Sequence, residues 1–102
     1  MKKFLFLLFA LTGFTYASEV GAEGLIKAYS VLVAGIGLGI AAFGGAIGMG
    51  NVAASTIAGI ARNPSLGGKL TSTMFVAIAL IEAQVIYVLV IGLLLLYGNP
   101  FL

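Results

Sequence analysis

Leu80-Ile81-Glu82-Ala83-Gln84-Val85-Ile86-Tyr87 sets a single carboxylate inside an apolar run. The nearest charge upstream is Lys69, and none follows Glu82 before the C-terminus. A helix rises about 1.5 Å per residue, so Glu82 lies roughly 20 Å from either end of the run Leu70–Leu96. The hydrocarbon core of a bilayer is about 30 Å thick, which puts the carboxylate near its middle. A charged side chain at that depth costs about 2.5–3.5 kcal/mol on insertion scales. Such a group persists where it faces a cavity, finds a partner, or carries a proton or ion. The bland alternative is a neutral glutamic acid packed between helices.

The chain around this stretch excludes a soluble domain. Apolar residues make up 62% of the 102 residues and charged ones 8%, against about 25% charged in ordinary globular proteins. A chain this short cannot hide that much apolar surface from water. With no Cys and no His, disulfides, thiolate or imidazole metal sites and histidine catalysis are out. No basic patch offers itself to nucleic acid. The formal charge of +2 includes Lys2 and Lys3; the remainder balances Lys27, Arg62 and Lys69 against Glu19, Glu23 and Glu82.

Residues 1–17 have the layout of a secretory signal: Lys2-Lys3, the apolar run Phe4 to Leu11, then Thr15-Tyr16-Ala17 with small residues at the two positions a signal peptidase reads. The alternative keeps this segment as an uncleaved third helix. Ser18 to Gly24 is a short polar lead-in. The first long helix is expected over about 25–61, and Ala28 to Ala61 carries no charge at all. About twenty residues suffice to cross a bilayer, so this helix projects beyond the hydrocarbon or tilts. It is rich in small residues, with Ala42, Ala46, Gly50, Ala54 and Ala58 in an i, i+4 row. Lipid supplies no hydrophobic force between helices, so close backbone contact along such a strip predicts tight helix–helix packing. Two fragments, Gly37-Leu38-Gly39 and Gly48-Met49-Gly50, imitate part of a dinucleotide fingerprint. Neither has the preceding strand or the later acidic residue that nucleotide binding needs.

The polar loop expected at 62–69 starts with Arg62-Asn63-Pro64, and its cations Arg62 and Lys69 mark the cytoplasmic side. The second helix is expected over about 70–97, ended by Gly98-Asn99-Pro100. The fold class is therefore an all-α membrane hairpin of two spanning helices, with both mature termini outside.

A glycine-rich first helix, an Arg-x-Pro loop and a mid-membrane carboxylate together resemble the c-subunits of F-type ATP synthases. The resemblance covers nearly all of residues 18–102. Glu82-Ala83 with Ile86-Tyr87 is similar to the site helix of bacterial and chloroplast members, and Asn99-Pro100-Phe101 to their ending. Arg62-Asn63-Pro64 stands where the family usually has Arg-Gln-Pro. The family's alternating glycines appear as Gly44, Gly48 and Gly50, with Ala46 in one slot.

The resemblance implies a homo-oligomeric ring in the bacterial inner membrane, first helices inside, second helices outside. Ala42, Gly44, Ala46, Gly48, Gly50, Ala54 and Ala58 would pack the ring. Glu82 would bind the proton, with Met49, Ala83, Gln84 and Tyr87 as candidate neighbours. Arg62, Asn63 and Pro64 would contact the central stalk of F1, and an arginine of the stator's a-subunit would face the ionised glutamate. Membrane lipids would surround the ring. The chain itself would have no catalytic residue, no metal, no cofactor and no bound nucleotide. Sodium-binding members place a glutamine where Met49 stands and a serine where Ala83 stands, so the resemblance implies proton coupling. From other classes, a structural or pore-forming holin-like hairpin explains the glycine strip but gives Glu82 no task. A proton-coupled antiporter lacks midplane groups beyond Gln84 and Tyr87.

Overall fold

A computed structural model describes residues 1–13 and 21–102. Two helices dominate it: α1, Lys2–Arg62, and α2, Gly67–Tyr97, joined through a 3-10 turn at Pro64–Leu66. Within α1, Gly21 is non-helical, with φ 72 and ψ 176. Only glycine holds that backbone conformation without strain. The hairpin therefore begins at Gly21. The expected cleavage positions Thr15, Tyr16 and Ala17, and the first lead-in residues Ser18 and Glu19, lie outside the described residues.

From Gly21 to Arg62 the first arm runs 42 residues, and the return from Pro64 to Tyr97 runs 34. These are about 63 Å and 50 Å of helix, both more than a bilayer core needs. The helix begins earlier than about residue 25 because the lead-in is itself helical. There Glu23 accepts a 2.7 Å hydrogen bond from Lys27, an acid-before-base i, i+4 pair that supports a helix start. This hydrogen bond and, after it, the ammonium charge hold the Glu23 carboxyl below the usual carboxylate range.

The loop is shorter than the expected 62–69. Helix continues through Arg62, whose charge complements the C-terminal end of the α1 dipole. Asn63 alone departs, with φ −142 and ψ 85. Its N–H still donates to the Gly59 carbonyl at 3.0 Å, and its own carbonyl accepts from Leu66 N–H at 3.1 Å. Pro64, with φ preset and no N–H to satisfy, opens the next turn. That turn runs straight into α2, because Gly67 takes the ordinary helical conformation. Gly67, Gly68 and Lys69 are thus the first turn of α2, although their composition reads as loop.

The arms keep a nearly constant antiparallel register along their length. A Cβ placed on Gly59 would sit 3.1 Å from Leu70 Cδ1, one on Gly48 3.4 Å from Ile81 Cδ1, one on Gly45 3.0 Å from Val85 Cγ2, and one on Gly92 3.6 Å from Ala34 Cβ. At the open end Asn99 Nδ2 donates to Ser30 Oγ at 2.7 Å, and Phe101 N–H donates back to Asn99 Oδ1 at 3.0 Å. Ser30 is only 8% exposed, so this pair ties the end of α2 to α1 in an apolar setting. Gly and Ala at the crossing points let the backbones approach closely, as expected without a hydrophobic force between helices.

The hairpin has almost no interior. Among the described residues the buried apolar core is Ala34, while Ile40, Phe43, Ile57, Phe75 and Leu80 are each more than 60% exposed. The accessible surface is 7889 Å², against about 5,400 Å² for a folded monomer of this mass in water. Both arms meet the length and hydropathy of membrane spans, with 11% and 6% of their most apolar windows buried. Core helices of a soluble protein would be mostly covered. This chain presents its apolar surface to lipid or to further copies.

Candidate functional site

Glu82 is the middle residue of α2. Its placement follows from the two glycines opposite. Ile81 packs against Gly48 and Val85 against Gly45, so the carboxylate sits on a helical turn packed against glycines of α1. Val85 is β-branched and stiff at χ1, so it cannot readily swing away from a larger residue at 45. Gly45 therefore leaves the room that Val85 occupies on the turn carrying the carboxylate.

Glu82 is exposed on one flank of the seam between the arms. There it lines a groove of about 340 Å³ with Ala42, Gly45, Ala46, Met49, Val85 and Ile86. Apart from the carboxylate, no lining side chain carries an oxygen or nitrogen. The only other heteroatom among them is the Met49 thioether, a poor ligand for a hard cation. No group of three or more His, Cys, Asp or Glu side chains stands together among the described residues. Nor does Glu82 have a hydrogen-bond or ion-pair partner among them.

Of the expected neighbours, Met49 shares the groove. Ala83, Gln84 and Tyr87 do not line it. At about 100° per residue, Gln84 lies about 160° round the helix from Glu82, and Tyr87 about 140°. Tyr87 is 67% exposed. Five residues exceed one turn, so the phenol points away from its own Glu82.

The small-residue row is distributed in the same helical way. Ala42, Ala46, Gly50 and Ala54 lie towards the surface, and Ala58 is half-buried. Steps of four residues advance about 400°, so the row winds round α1 instead of marking one face. Ala42 and Ala46 edge the Glu82 groove. Gly44 is exposed on the opposite flank, and Gly48 faces α2. Arg62, Asn63 and Pro64 are all exposed at the turn. Ser65 Oγ donates to Asn63 Oδ1 at 2.6 Å, which shapes the turn. Neither Arg62 nor Lys69 has an ion pair among the described residues, so the cations are free to meet a partner.

Two features of the site are not legible in the sequence. Gly45 is hidden among neighbouring glycines; its one signal is the i, i+3 spacing to Gly48, opposite the carboxylate. The Ser30–Asn99 bond joins residues distant in sequence, and no local pattern announces it.

Comparison with known proteins agrees with this architecture. A family model describing the C-subunit of ATP synthase matches residues 32–95, both arms and the turn included. The ATP synthase c-subunit of Campylobacter fetus subsp. fetus is 66% identical over 103 residues, covering 100% of this chain and 99% of that protein. The c-subunit of Sulfurovum sp. is 64% identical over 102 residues, with 100% and 99% covered. That of Campylobacter lari is 63% identical over 101 residues, with 99% and 94% covered. The family match spans both arms and the turn, the similarity extends over 94–99% of each of these relatives, and the chain belongs to the ATP synthase c-subunit family.

Proposed function

We propose that this chain is the proton-carrying rotor subunit of the membrane sector of an ATP synthase, with Glu82 as the site that binds and releases the proton. The supporting observation is the position of Glu82: the middle residue of α2, on an exposed flank, in a groove with no other side-chain oxygen. Hairpins pack side by side into a ring through the small residues that the hairpin itself leaves uncovered. Protonated, the carboxyl is neutral and passes through lipid. Ionised, it requires water and a cation, which the stator's a-subunit supplies. Each proton crossing 100 mV releases about 2.3 kcal/mol, and successive transfers turn the ring. Arg62, Asn63 and Pro64, exposed at the turn, grip the central stalk. The chain makes and breaks no covalent bond beyond that to the proton; its chemistry is proton exchange.

The same groove supports the proton over sodium as the transported ion. A dehydrated hard cation takes several oxygen ligands, and within one hairpin the side chains lining the groove offer only those of Glu82. A hydrophobic carbodiimide, which attacks protonated carboxyls, is therefore expected to label Glu82 equally with sodium or potassium present at mildly alkaline pH. Protection by sodium alone would replace the proton with sodium and leave the rotor role standing.

The cationic turn faces the cytoplasm of a bacterial inner membrane, with both ends of the mature hairpin in the periplasm. Residues 1–17 act as a signal that delivers the chain and is removed, leaving Ser18 at the mature N-terminus. Mass spectrometry of the purified protein checks this. A mass that still includes Met1 to Ala17 would mean a retained segment and a different N-terminal topology.

A further inference from the structure

The hairpin has two flanks, and they carry different chemistry. Glu82 opens on the groove edged by Ala42, Ala46 and Met49. On the other edge of the seam runs a groove of about 370 Å³ whose lining includes Asn51, Ser55, Thr73 and Ala77. Asn51 lies two residues from Met49, hence about 160° round α1 from it, which places the grooves on opposite sides. Ala77 lies seven residues before Gln84, two turns along the same face of α2. Gln84 therefore belongs to the flank opposite Glu82. It is exposed, with no hydrogen-bond partner among the described residues, at a depth where an unpaired primary amide is strongly unfavourable. Its Cα is displaced only about 3 Å along the helix axis from that of Glu82.

Copies packed side by side in one orientation make head-to-tail contacts, in which one flank meets the opposite flank of the next copy. In such a ring the Glu82 flank of each hairpin faces the Gln84 flank of its neighbour, at nearly matched depth. We infer that Gln84 of each copy hydrogen-bonds the Glu82 carboxyl of the adjacent copy, its Oε1 accepting from the protonated carboxyl O–H. The two groups are complementary: a neutral carboxyl has a donor to place, and the amide offers both an acceptor and N–H donors. Neither can satisfy the other within one hairpin, because they point apart. The ion site is then completed only between copies, and the amide favours the neutral carboxyl that must face lipid. This inference rests on the proton-ring function proposed above.

The test uses rings built from two full hairpins fused in tandem, Leu102 of the first linked to Gly21 of the second. The Ser30–Asn99 bond shows that these ends lie on the same side. One copy carries Glu82→Gln and is silent to a hydrophobic carbodiimide; the other keeps Glu82 and reports. Gln84→Met, close in length and without the amide, is placed in either copy, and labelling is followed against pH. In the silent copy it is expected to move the labelling midpoint down by about half to one pH unit, the worth of one hydrogen bond. In the reporting copy it is expected to leave the midpoint unchanged. No shift from either placement, or a shift only from the reporting copy, would overturn the inter-copy bond. Gln84→Leu repeats the comparison should the methionine ring assemble poorly. Absence of labelling in the ring with both Gln84 side chains intact would overturn the proton-site function itself, and this bond with it.

Discussion

Glu82→Gln is expected to give a normal ring with no proton-driven ATP synthesis. The substitution keeps the length and branching of the side chain and exchanges a carboxyl for an amide. Within the hairpin nothing is lost, because Glu82 has no hydrogen bond or ion pair among the described residues and lies on an exposed flank. The contacts that hold the turn beside it, Ile81 on Gly48 and Val85 on Gly45, are untouched. The amide cannot release a proton, so the transmembrane potential has no charge on the ring to act on. ATP-driven acidification of inverted membrane vesicles should fall to the level of vesicles lacking the complex. The ring band on a denaturing gel should keep its intensity. Glu82→Asp should retain some transport, since the proton remains but its position retreats by one methylene.

Bulky residues at two neighbouring glycines are expected to fail at different levels of assembly. Gly50 is exposed, and a Cβ there meets nothing within 4 Å in the hairpin. Gly50→Leu should leave the hairpin folded and abolish the ring, because the added side chain protrudes where the next copy packs. At Gly45 even the Cβ would lie 3.0 Å from Val85 Cγ2. Gly45→Ala should destabilise the hairpin by about 1–3 kcal/mol, as overpacked interiors usually do. Gly45→Leu should separate the arms and displace Glu82. Gly48→Ala, at 3.4 Å from Ile81 Cδ1, should be nearly neutral. Gel analysis of the ring and thermal unfolding of the monomer in detergent separate these cases. A normal ring from Gly50→Leu would mean that neighbours do not pack on that face.

Much of this architecture is legible in the sequence, for identifiable reasons. Long charge-free runs on either side of Arg62-Asn63-Pro64 leave a helical hairpin as the available fold, since only helices and closed barrels satisfy their backbone in lipid. A lone carboxylate within the second run stands out because of what it costs there. Details governed by rotation about a helix are harder to read. The i, i+4 row from Ala42 to Ala58 suggests one face, yet its residues drift round α1. Tyr87 and Gln84 are close to Glu82 in sequence but point elsewhere. Gly67-Gly68-Lys69 has the composition of a loop and forms the first turn of α2, because the 3-10 turn at Pro64 delivers the chain already coiled. Gly45 can be singled out only once Val85 is seen against it.

Proton transfer by Glu82 is tested by locating a hydrophobic carbodiimide by peptide mass spectrometry while proton flux is measured in the same vesicles. The adduct is expected on Glu82 alone, and flux is expected to stop as Glu82 is modified. Proton flux that continues undiminished after Glu82 has been fully modified would contradict the claim that this carboxyl carries the proton.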